Sequence, residues 1–210
     1  MPPKFDPIPI AHRMQRQKIF FKNLVQTTMA TALLIVDMQK RFLTMADAPV
    51  ISNITKLLYH FRFHSEPTIF TQHGHTKAEL TPPFKNQLVQ KWGPDGSIAV
   101  GSADWELIPD ISALVGASPV IAKNTYDAFI NTDLARILEE ENVVRVLVVG
   151  VMTDCCCDTT ARSSFNRGYE TWLVSDACAS ADERHHLAGL QAFEFAFGKV
   201  LTTEEVLQRT

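Results

Sequence analysis

No uncharged apolar run in the 210 residues approaches the roughly 20 needed to cross a bilayer, so no membrane helix is expected. Cysteine is scarce. Of four, three are adjacent at Cys155, Cys156 and Cys157, a poor disulfide framework because neighbouring residues bridge badly. The expected setting is therefore reducing, intracellular and cytoplasmic. Strong charge of one sign is missing too: a net charge of −3 gives no reason to expect nucleic acid as a partner. There is no internal repeat and no sign of a second folded domain. What is present is an ordinary composition, 46% hydrophobic and 20% charged, sufficient for one domain with a sizeable core.

Residues 1–29 stand apart from the remainder. They carry Lys4, Arg13, Arg16, Lys18 and Lys22 against Asp6 alone, and Pro2, Pro3, Pro7 and Pro9 argue against an ordered start. The stretch lacks the apolar centre of a secretory signal. It reads as a flexible basic extension, with a targeting segment as the alternative and Met29 as a second candidate start. Residues 30–210 are read as the folded domain.

The folded part is organised around Val143–Gly168, VVRVLVVGVMTDCCCDTTARSSFNRG. Val143–Val149 is the β-branched run of a strand buried on both faces of a parallel sheet. Gly150 ends it, Thr153 and Asp154 can cap a helix, and Gly168 suits the position past that helix's end. Cys155, Cys156 and Cys157 then fall in a first helical turn. Free N–H groups and the helix dipole there lower a thiol pKa, which makes one of the three a candidate nucleophile.

Elsewhere strands and helices alternate. Ala32–Val36 is a strand ending at Asp37, whose carboxylate is either a cap or a functional group. Ile51, Ile54, Leu58 and Phe61 mark a helix over Ala48–Phe63. Thr68–Gln72 is the second strand, followed by His73 and His75. That pair has no third ligand at a recognisable spacing, so a polar pocket-edge role is expected and no metal. Thr76–Asp110 reads as an irregular insertion of the kind that forms lids, in which Trp92 and Trp105 either wall a pocket or anchor the loop. Pro119–Ala122 is a strand ending at Lys123. A helix through Leu134, Ile137 and Leu138 leads into the central strand. Tyr169–Ser175 is another strand, ending at Asp176, before a helix over Asp182–Phe197 and a capping box at Thr202 and Glu205.

This alternation implies a three-layer α/β/α domain, Rossmann-like, with a central, mostly parallel sheet. Ligands of such sheets bind at the carboxyl ends of the strands, where Asp37, Lys123 and Cys156 all lie. If their strands are neighbours, the three converge. The carboxylate could take and return the thiol proton, and the ammonium could stabilise the thiolate.

LLIVDMQKRF (Leu33–Phe42), KNTYDAF (Lys123–Phe129), GVMTDCCCDTTAR (Gly150–Arg162) and RGYETWLVSDACA (Arg167–Ala179) resemble motifs of the isochorismatase-like cysteine hydrolases. This superfamily holds nicotinamidases, N-carbamoyl amidohydrolases and isochorismatases. The resemblance implies a catalytic set of Asp37, Lys123 and Cys156, and chooses Cys156 among the three thiols. It also implies a cis peptide between Val151 and Met152, which aims the N–H groups of Met152 and Cys156 at an oxyanion. No organic cofactor is implied. The stretch after Asp37, MQKRFLTMADAPV, lacks the Asp-x-His pair with which many microbial nicotinamidases hold a metal. KNTYDAF and GVMT look closer to metal-free plant nicotinamidases.

The resulting expectation is hydrolysis of a small planar amide such as nicotinamide, through a cysteine thioester. Phe42, His73, Trp92, Tyr126 and Phe129 are the candidate pocket residues. The alternatives are an isochorismatase releasing pyruvate, with Asp37 as acid, and a non-catalytic scaffold of the same fold. The partner expected is a small-molecule substrate, and a homo-oligomer is implied by the resemblance alone.

Overall fold

The computed structural model describes residues 29–210; the extension over residues 1–28 lies outside the described residues. Six strands form one parallel sheet: β1 (Ala30–Val36), β2 (Thr68–His73), β3 (Val120–Lys123), β4 (Val143–Val151), β5 (Glu170–Ala179) and β6 (Lys199–Leu201). Their order is β3-β2-β1-β4-β5-β6, so the winding reverses between β1 and β4. At such a switch point the crossover connections diverge to opposite sides and leave a crevice above the strand ends.

The helices are α1 (Ala48–Phe63), α2 (Gln87–Trp92), α3 (Pro109–Ser112), α4 (Leu134–Glu140), α5 (Asp158–Asn166), α6 (Glu183–Ala196) and α7 (Thr203–Leu207). Alternate residues of the central strands feed two apolar layers, the period-two consequence of a pleated sheet covered on both faces. Leu33, Ile35, Leu147 and Val149 meet Ile54, Leu58 and Phe61 of α1 and Val206 of α7. Leu34, Val36, Val146 and Val148 meet Leu138 of α4, Ala161 of α5, and Leu190 and Phe193 of α6.

α1 begins and ends where its periodicity and caps place it, with the Asp47 carboxylate accepting from the Val50 N–H at 3.1 Å. Four features depart from expectation. β5 does not end at Asp176 but continues to Ala179. β6 was not anticipated, because three residues are too few to show a period. The insertion holds α2, α3 and a tight turn over Ala103–Trp105. The three cysteines do not start an α-helix: Thr153–Cys157 is a wider turn, in which the Cys157 N–H reaches back five residues to the Met152 carbonyl at 3.1 Å. α5 starts only at Asp158.

Candidate active site

β1 and β4 flank the switch point, and they deliver Asp37 and Cys156 from adjacent strand ends. The chain turns sharply at both. Asp37 takes φ +50°, a left-handed conformation that aspartate tolerates better than most residues. Gly150 takes φ +115°, and a Cβ there would stand 2.1 Å from the Val36 carbonyl oxygen. Only glycine lets β4 pass β1 this closely. The Val151–Met152 peptide that follows is cis.

Lys123 arrives differently from what neighbouring strands would imply. β2 lies between its strand and β1, a separation of roughly 10 Å at ordinary strand spacing. The four-carbon stem spans the end of β2, and its ammonium reaches Asp37 Oδ2 at 2.7 Å and Cys156 Sγ at 3.4 Å. It also donates to the Thr125 carbonyl at 3.0 Å. β2 supplies a support below, where Thr71 donates its hydroxyl to Asp37 Oδ1 at 2.6 Å and accepts the Asp37 N–H at 3.1 Å. Both charged side chains are fully buried. An isolated charge would not tolerate this; a contiguous pair with added hydrogen bonds can.

The electrostatics correct the thiolate expectation. Burial pushes the Cys156 thiol up; Lys123 opposes this and Asp37 adds to it. Burial alone would lower Lys123, but Asp37 and Cys156 hold it above the ordinary lysine value. Water exclusion at Cys156 thus works against the thiolate that a helix terminus would favour. Cys155 is pushed up to about 11, by burial and then by Asp154 and Asp158, and Cys157 is raised by burial and by Cys178. All four cysteines are free thiols.

His73 reaches the same strand ends. Burial, then Lys123, bring its pKa down to about 4, so it is neutral at ordinary pH. Its ring meets that of His75 edge-on at 4.9 Å. Among the described residues no three His, Cys, Asp or Glu side chains are placed to hold a metal ion. Tyr126 and Trp92 join at the rim, Trp92 Nε1 donating to Tyr126 Oη at 2.9 Å. Phe42 packs beside the α1 layer, which also takes Met152. Phe129 is buried in the same apolar layer as Cys156, against which Tyr126 also packs, nearly parallel to Tyr169 at 6.4 Å and covered by the Arg167 guanidinium.

Two contributors were missed from sequence. Thr71 is one. Gln39 is the other: fully buried, it donates to the His73 carbonyl at 2.9 Å and the Trp105 carbonyl at 2.8 Å, and accepts the His73 N–H at 2.8 Å. A polar residue inside an apolar strand and an amide two residues after Asp37 were the available signals.

A doubly wound parallel sheet that gathers a thiol, an ammonium and a carboxylate at its switch point has the architecture of an α/β hydrolytic enzyme. Residues 31–205 match the Isochorismatase domain model. The chain belongs to the isochorismatase family and is a hydrolase. It is 35% identical to Nicotinamidase 3 of Arabidopsis thaliana over 83% of this chain and 86% of that protein. It is 27% identical to Enterobactin synthase component B of Escherichia coli, over 95% of this chain and 69% of the relative. A cysteine hydrolase structure from Pseudomonas syringae pv. phaseolicola superposes with TM-score 0.75 at 27% identity, covering 85% of this chain and 91% of that one. No helix among the described residues is long and apolar enough to cross a membrane.

Proposed function

We propose that this hydrolase cleaves a small planar amide, nicotinamide being the type substrate, through a thioester on Cys156. The observation that carries the reading is the dry contact of Lys123 Nζ with both Asp37 Oδ2 at 2.7 Å and Cys156 Sγ at 3.4 Å. The nicotinamidase from Arabidopsis thaliana supports the choice of amide.

Asp37 takes the thiol proton as Sγ attacks the amide carbonyl, and Lys123 offsets the negative charge passing from carboxylate to sulfur. The N–H groups of Met152 and Cys156 are assigned to the oxyanion. As the tetrahedral adduct collapses, the C–N bond breaks and ammonia leaves with the proton from Asp37. Water then attacks the thioester, Asp37 takes one of its protons, and the sulfur recovers it as the acid departs. Neutral His73, the Tyr126–Trp92 pair and, from the α1 layer, Phe42 are assigned to the substrate's walls. The active domain is assigned to residues 30–210, in a cytoplasmic homo-oligomer; free thiols favour that setting.

Ammonia release from nicotinamide is the test. Cys156→Ala is expected to lower turnover by about 10³-fold or more. A second reading has Asp37 protonating the ether oxygen of isochorismate. Its signature is pyruvate formation that survives Cys156→Ala but not Asp37→Ala, and that result would replace the amide reading.

A further inference from the structure

The insertion leaves β2 where His73 enters the site. Its first turn is held by Glu79, whose Oε2 accepts the Thr76 N–H at 2.9 Å and the Thr76 hydroxyl at 3.0 Å. That alone would be an ordinary turn. The other oxygen does more: Oε1 accepts from Asn124 Nδ2 at 2.7 Å and from Asn86 Nδ2 at 3.3 Å, with His75 Nδ1 3.7 Å away.

Each of these partners leads into the site. Asn86 caps α2 by accepting the Leu88 N–H at 2.9 Å, and its amide also donates to the Asn124 carbonyl at 3.1 Å. α2 carries Trp92, which bonds Tyr126. Asn124 directly follows Lys123, and the Thr125 carbonyl after it receives the Lys123 ammonium. A single carboxylate therefore joins the start of the insertion, the helix bearing the rim tryptophan and the loop that anchors the lysine.

Burial alone would raise Glu79, but hydrogen bonds from Thr76, Asn124 and Asn86 bring its pKa down to about 2. The group stays ionised at neutral pH, and bonds to a charged acceptor are the strong kind. Closing a four-residue turn needs no donors from two distant segments. Their convergence calls for a separate account.

We infer that Glu79 is a positioning residue that fastens α2 and Trp92 to the Lys123–Thr125 loop, so that the rim of the site and the lysine beneath it move as one body. The kinetic consequences rest on the amide reading; the mechanical coupling does not.

Hydrogen–deuterium exchange on the full chain tests the coupling without any substrate. In Glu79→Ala, the segments 86–93 and 124–126 are expected to exchange together about 10-fold faster, the size expected for loss of a hydrogen bond to a charged group, with β1 and β4 unchanged. Asn124→Ala, made from the far side, is expected to loosen 86–93 as well, and it decides the matter if Glu79→Ala does not fold. Faster exchange confined to 76–81, or unchanged exchange at 124–126, overturns the inference.

With nicotinamide, kcat and KM are both expected to worsen in Glu79→Ala, kcat/KM falling on the order of 10²-fold as the lysine loses its position. Glu79→Gln, which keeps an acceptor for Asn124, is expected to restore part of this; a change in KM alone counts against the coupling. A wild-type protein inert toward amides would overturn the amide reading and leave exchange to judge Glu79.

Discussion

Asp37 and Lys123 illustrate how far a single side chain's behaviour depends on its partner. Each is removed from water, and each is tolerated there only because the other is 2.7 Å away. Lys123→Met leaves a buried carboxylate unpaired and is expected to destabilise the fold by about 3–5 kcal/mol. Asp37→Leu combined with Lys123→Met removes both charges and is expected to recover most of that loss while remaining inactive. Denaturant unfolding of the single and double variants checks this; equal destabilisation in both would show that the two charges are not coupled. Residue identities at the strand ends by themselves point to Asp37, Lys123 and a cysteine. The state of the thiol was not legible, because burial is a property of everything packed around Cys156.

At the scale of elements, the β1–β4 contact decides whether the site exists. A Cβ at Gly150 would collide with backbone, whereas Gly168, at φ +94°, has nothing within 4 Å of the same added atom. Gly168→Ala therefore isolates the cost of the backbone conformation, about 1 kcal/mol. Gly150→Ala adds the collision and is expected to cost about 3 kcal/mol or more, with loss of activity. Thermal unfolding of the two variants side by side measures the difference, and similar values would mean the strands can separate without penalty. Local pattern was enough for α1, whose stripe lies within its own residues and whose caps, Asp47 and His64, directly flank it. It failed for β6, which is a strand only because β5 lies beside it. It failed also at the cysteines, where Gly189 of α6 packs so closely that an added Cβ would lie 2.9 Å from Asp154 Cα. That contact comes from the helix of the next crossover, between β5 and β6, and leaves no trace in Thr153–Cys157 itself.

For the molecule as a whole, the family match over 31–205 falls within the described residues, and the basic extension precedes it. A chain beginning at Met29 is expected to keep the unfolding temperature and the turnover of the full-length protein. Calorimetry and the ammonia assay check this, and a substantial loss in either would make residues 1–28 part of the working domain. Composition and alternation determined on their own that residues 30–210 form an α/β fold with a parallel sheet, since β-branched runs and amphipathic stripes are short-range facts. Only the tertiary structure decided that Lys123 reaches across an intervening strand, that Phe129 faces the core, and that Glu79 touches three segments. Strand order and side-chain reach are set by pairings between residues far apart in sequence, and no local pattern encodes which of them will meet.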